Sequence, residues 1–274
     1  MTPGRKQSEN TWVRPGSAAE RVDHLRELLL DAGLADRVRV GASGPPPEAA
    51  LPSSTTHRTR ERKNERTPGT EETFSPDALL RPTSSEGRLI ELGGELSSGR
   101  TALAYRLAAL SSARRELVGW VDLPGALDPR YLQRAGVRLE DVLWVRPPEL
   151  QAALRSAELL IKAGFALVVL DLEGAPAREL ARLGASVFSR LARALREARA
   201  TALLLGSRGA AGAFATLGAR SERRSALFDA GLFEGLSSRL EVLRRRSGPP
   251  GPDLHFSVYH RQTTDARASS ATSA

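Results

Sequence analysis

The sequence predicts an α/β fold, a mostly parallel β-sheet covered by helices on both faces, with an N-terminal helical arm in front. Three observations lead there. From Phe74 to about Arg261 short apolar runs alternate with amphipathic stretches, the pattern of parallel strands joined by crossover helices. A glycine-rich turn, Gly94–Thr101, stands between one such run and one such stretch, in the order of a phosphate loop. The composition in front of that region is different: one isolated helical stripe, then a segment too polar to fold alone.

The elements follow from periodicity. Runs that read as strands are 88–93, 117–122, 142–145, 166–171, 201–205, 238–244 and 254–260. Stretches that read as helices are 101–110, 129–135, 149–163 and 178–198. In 149–163, Leu150, Leu154, Ala157 and Ile161 share a face; in 178–198, Leu180, Leu183, Val187, Leu191 and Leu195 do. Residues 1–40 form the arm, where Val22, Leu25, Leu28 and Leu29 line one side of a helix over 17–37. Ser17 and Glu20 fit a capping box at its start, and Gly33 lies where it would stop. Residues 41–72, with Pro45-Pro46-Pro47 and a basic run at 57–63, read as a flexible linker. The core is expected over 73–262, and 263–274 as a disordered tail.

Bulk composition excludes several chemistries. The chain has 274 residues, no cysteine and four scattered histidines. Disulfides, thiolate metal sites and cysteine nucleophiles are therefore out, and no metal centre is expected. Lys and Arg number 40 against 32 Asp and Glu, with a sequence pI near 10.7. That balance suits an anionic partner, and equally a genome that favours arginine. Arg220–Arg224 and the triplet Arg244, Arg245 and Arg246 are candidate phosphate contacts, the triplet above all, with a solvated face as the competing reading of both. The start is polar, and the longest apolar run, Phe165–Leu170, is too short to span a bilayer. A cytoplasmic, nucleoid-associated protein is expected.

The loop chemistry is specific. Gly94-Glu95-Leu96-Ser97-Ser98-Gly99-Arg100-Thr101 fits G-x-x-x-x-G-K-[ST] except at Arg100. In such a loop Gly94 and Gly99 let successive N–H groups face phosphates, lysine adds a compact charge, and the threonine hydroxyl, here Thr101, binds magnesium. Arginine keeps the charge but carries it on a larger planar fork. Further on, Trp120–Tyr131, containing Ala126-Leu127-Asp128-Pro129, and then Gly136-Val137 and Asp141–Leu143, resemble the RecA recombinase sequence. Leu167–Asp171 is similar to its Walker B strand, whose aspartate, here Asp171, supports magnesium. The resemblance covers roughly 87–260 and implies a RecA-like P-loop core.

The departures fall on catalytic parts. RecA proteins carry a glutamate two residues beyond the aspartate matching Asp122, and Pro124 stands there. They carry an Asn-Gln sensor after the fifth strand, where this chain reads Gly206-Ser207-Arg208. Asp122 and Asp128 are expected to hold a local turn, and Asp171 either supports magnesium or ends a strand. No ATP hydrolysis is expected, and no bound cofactor, although ATP with magnesium stays open as a ligand. A RecA-like chain with these losses and a separate arm resembles the ImuA family. That implies a non-catalytic accessory protein of the bacterial DNA-damage (SOS) response, supporting error-prone translesion synthesis. Its partners would be a RecA-like recombinase, an ImuB-type Y-family-like polymerase, or both, with DNA touched non-specifically. The arm face of Val22, Leu25, Leu28 and Leu29 would dock on a neighbouring RecA-like domain. The alternatives are an ATP-binding RecA-family recombinase and a damage-induced cell-division inhibitor.

Overall fold

The computed structural model describes residues 87–206, 210–229, 232–246 and 254–259, together with 38–40 and the helical positions Glu20 and Glu27. Val22, Leu25, Leu28 and Leu29, the 41–72 segment, Ser207-Arg208 and the tail lie outside the described residues. No helix among the described residues is long and apolar enough to cross a membrane.

The strands are β1 (Val38–Val40), β2 (Arg88–Gly94), β3 (Val118–Asp122), β4 (Val142–Val145), β5 (Leu167–Asp171), β6 (Thr201–Leu205), β7 (Leu217–Asp229), β8 (Leu232–Arg245) and β9 (Leu254–Tyr259). They form one sheet in the order β1-β4-β3-β5-β6-β2-β7-β8-β9. The run from β4 to β7 is parallel, and β1, β8 and β9 add antiparallel strands at the edges. The helices are α1 (Arg100–Ala113), α2 (Pro129–Arg134), α3 (Leu150–Lys162), α4 (Ala177–Ala181) and α5 (Ala185–Ala198).

Alternation along each strand sends side chains to opposite faces. On β5, Val168 and Leu170 join the core under α3 and α5, while Leu167 and Val169 join the core under α1 and α2. All five β5 residues are buried, as expected of a strand covered on both sides. The α/β reading with helices on both faces therefore holds.

Three elements differ from the sequence expectation. The stretch expected as one helix over 178–198 is two, α4 and α5, because Gly184 interrupts it in extended backbone. Residues 217–229, where the sequence singles out only the basic cluster Arg220–Arg224 and no strand is expected, are the strand β7. β8 starts at Leu232 rather than Ser238. The arm's end adds β1 to the sheet, with Val38 opposite Val145.

β2 starts at a close backbone approach. A β-carbon on Gly87 would overlap the Leu195 carbonyl of α5. Gly87→Ala should push α5 off the sheet and lower stability by about 1–3 kcal/mol, the usual penalty of overpacking. Urea unfolding of the two proteins measures it, and an unchanged midpoint contradicts the packing described.

Candidate functional site

The parallel register gathers the candidate residues on one edge. Asp122 pairs with Asp171 across β3 and β5, Leu205 lies beside Asp171, and Gly94 ends β2 opposite Ser221. This is the carboxyl edge of the sheet, where open α/β folds place ligands. The loop from Gly94 then turns into α1 with Gly94 at φ 142°, Ser97 at φ 60° and Gly99 at φ 89°. The two glycines are also needed sterically. A β-carbon on Gly94 would meet the Ser221 carbonyl, and one on Gly99 the Ser238 hydroxyl. The loop therefore rests directly on β7 and β8, and the Ser221 hydroxyl donates to the Ser98 carbonyl at 2.6 Å.

Arg100 opens α1, and its side chain does not point to solvent. It is 5% exposed. One guanidinium nitrogen donates to the Gly94 carbonyl, and another donates to Glu173 Oε2 at 2.5 Å. The cation of the Gly94–Thr101 loop is thus engaged by the loop's own first carbonyl and by a carboxylate from the turn after β5. Thr101, next in the helix, is exposed. Gly94, Gly99, Arg100 and Asp171 do come together, as the sequence motifs imply.

Asp171 is buried and accepts a hydrogen bond from the Glu173 amide at 3.0 Å. Burial pushes its carboxyl up to about 6; that amide and Arg100 pull it down, while Asp122 and Glu173 push it up. Asp122 is more buried still, and its two oxygens accept from the Ala126 amide at 2.9 Å, the Leu127 amide at 3.1 Å and the Trp144 indole at 3.0 Å. Its lone pairs hold the turn that carries Pro124. Asp128 caps α2, accepting from the Arg130 amide at 2.8 Å.

The basic triplet lies elsewhere. Arg245 pairs with Leu217 at the start of β7, so Arg244, Arg245 and Arg246 sit at the opposite end of the strands from the loop. Arg244 donates to the Ala215 carbonyl at 3.4 Å, while Arg245 and Arg246 are exposed. Among the described residues no group of three or more carboxylates or histidines is placed to hold a metal ion.

Two features escaped the sequence reading. Glu173 is one; its signal was a carboxylate two residues beyond a strand-ending aspartate, followed by Gly174. The other is the free end of the β7–β8 hairpin, where Phe228 is 64% and Leu232 68% exposed. Phe228 packs edge-on against Phe233 there, with ring centroids 5.9 Å apart. Beside the loop, an open groove of about 750 Å³ is lined by Glu91, Glu95, Glu222, Arg220 and Arg223 among others.

Residues 78–200 match the RecA N-terminal domain family. Over that stretch, less than half of the 274 residues, the chain is similar to the RecA N-terminal domain. The chain is 40% identical to protein RecA of Thermus thermophilus over 83 residues, which is 30% of this chain and 24% of that protein. It is 39% identical to protein RecA 2 of Myxococcus xanthus over 79 residues, 29% of this chain and 22% of that protein. For protein RecA of Geobacter sulfurreducens the figures are 34% over 102 residues, 32% and 30%. The match thus spans about a quarter of the length of these relatives.

Asp171 links the site to stability with a definite sign. Its folded pKa of about 6 lies above the ordinary 3.8. The protonated form is therefore the favoured one in the fold, and this contribution is full below pH 3.8 and lost as pH rises through about 6. Asp171→Asn should match the parent near pH 3.5 and exceed it by up to about 3 kcal/mol near pH 8. Urea titrations at the two pH values test this; a variant that loses stability at both contradicts it.

Proposed function

We propose that this chain is a non-catalytic RecA-like accessory protein of the bacterial DNA-damage (SOS) response, acting through protein contacts in error-prone translesion synthesis as the resemblance to the ImuA family implies. The observation that carries this is Arg100, whose guanidinium is buried between the Gly94 carbonyl and Glu173. Phosphoryl transfer needs a cation free to meet the β- and γ-phosphates and a group that positions the attacking water. Here the cation is engaged within the fold, and the water-positioning place belongs to Pro124. The groove beside the loop supports the same reading, since three glutamates against two arginines do not favour a polyphosphate.

The contacts of an accessory protein require a surface. A cluster of large apolar side chains in water marks an interaction site, and Phe228, Leu232 and Phe233 make one at the end of the hairpin. It is the described counterpart of the arm face proposed from Val22, Leu25, Leu28 and Leu29. The partners proposed are a RecA-like recombinase and an ImuB-type polymerase-like protein, with DNA contacted only through phosphates.

ATP turnover tests the proposal. The purified chain should stay at background with and without single-stranded DNA, and a DNA-stimulated rate near one per second, ordinary for an enzyme, would overturn it. The docking surface has a separate test. Phe228→Ser with Phe233→Ser should abolish association with the partner. The thermal midpoint should move by less than about 3 °C, because the replaced side chains are largely exposed. Retained association would place the interface elsewhere.

A further inference from the structure

We infer that Glu173 is the residue that keeps the phosphate loop closed to anions, and that neutralising it alone uncovers a site for an inorganic polyphosphate at Gly94–Arg100. This rests on the non-catalytic reading above and names the side chain responsible for it.

The loop retains the backbone of an anion site. Gly94, Ser97 and Gly99 all hold positive φ, and the first N–H groups of α1 lack intrahelical partners, as at every helix start. A second polar group waits there. The Ser98 hydroxyl is buried and has no hydrogen-bond partner among the described residues. What the loop lacks is an unneutralised charge. Arg100 is paired to Glu173 at 2.5 Å; its own side chain is 6% exposed and that of Glu173 27%, so the buried cation keeps its counter-ion at the edge of solvent.

The surrounding carboxylates make Glu173 the one that matters. Asp122 already accepts from three N–H donors, and Asp171 accepts from the Glu173 amide. Glu173 alone faces the guanidinium as an ion-pair partner among the described residues. An entering phosphate must displace that carboxylate from a buried cation and then remain beside it. With glutamine at 173 the shape persists, but the guanidinium is left as a buried charge without its counter-ion, which is strongly unfavourable. A phosphate oxygen would satisfy it through the paired N–H geometry that arginine offers.

The position of Glu173 is fixed rather than incidental. Its amide is held by Asp171, and Gly174 at φ 75° turns the chain immediately after it. The carboxylate is thus delivered to the loop by the end of β5, 73 residues away in sequence from Arg100.

Calorimetric titration of the full chain with magnesium-free sodium pyrophosphate tests the inference. Glu173→Gln and Glu173→Ala should bind at least on the order of tenfold more tightly than the unsubstituted chain. Adding Arg100→Ala to Glu173→Gln should remove the gain. Equal affinity of the unsubstituted chain and Glu173→Gln, or a gain that survives loss of Arg100, would overturn the inference. Glu173→Asp keeps the charge but draws it back by one methylene, and should give an intermediate gain. If no Glu173 variant unfolds cooperatively, Glu173 is a structural residue and the inference also fails. Turnover of ATP by the unsubstituted chain would sink the non-catalytic reading instead. A silent chain with a silent Glu173→Gln sinks only the lock.

Discussion

A buried guanidinium must find partners or destabilise the fold, and in this chain that demand organises the whole carboxyl edge of the sheet. Arg100 enters the interior because α1 starts directly beneath the loop, and it meets the Gly94 carbonyl and the Glu173 carboxylate there. Glu173 reaches the loop because β5 ends at Asp171 and turns back at once. Asp171 is then left between burial, a neighbouring Asp122 and a cation already engaged, which is why its carboxyl is drawn up to about 6. The charged groups on this edge are satisfied by one another.

The sheet makes this closure rigid. The loop lies on β7 and β8, and its glycines face backbone and hydroxyl atoms of those strands with no room for a β-carbon. The strands that back the loop also carry the exposed aromatic end of the hairpin. One continuous piece of antiparallel sheet thus joins the closed loop to the surface proposed for docking. The basic triplet at Arg244–Arg246 is on the far end of the same strands, so phosphate contacts made there would be independent of the loop.

Much of the fold was legible because parallel strands buried on both faces write themselves as apolar runs, as Leu167–Asp171 does. β7 was not legible for a physical reason. Its inward positions beside the loop are Ala219 and Ser221, both small, so no apolar run marks it. Its strand character comes from pairing with β2 and β8, distant in sequence. The break between α4 and α5 is at Gly184, where the apolar periodicity continues across the gap and hides it. At the site, the loop, Asp122 and Asp171 were visible as motifs, and Asp122 holds the turn as expected, accepting from the Ala126 and Leu127 amides. The partner of Arg100 escaped because the local signal at Glu173, a carboxylate just beyond a strand-ending aspartate, marks a turn and says nothing of a cation 73 residues away. The exposure of Phe228 and Phe233 was equally hidden, since two aromatic residues close in sequence resemble a core-facing pair until their neighbours are known.

The similarity to RecA proteins covers residues 78–200, the stretch that contains the loop, Asp122, Pro124, Asp171 and the Arg100–Glu173 pair. The central claim is that this pair occupies the space where phosphates would sit. A crystal structure grown with magnesium and a slowly hydrolysed ATP analogue at millimolar concentration tests it most directly. The account predicts Arg100 between the Gly94 carbonyl and Glu173, with no phosphate in the loop. A bound triphosphate with Arg100 displaced from Glu173 and turned toward the phosphates would contradict it.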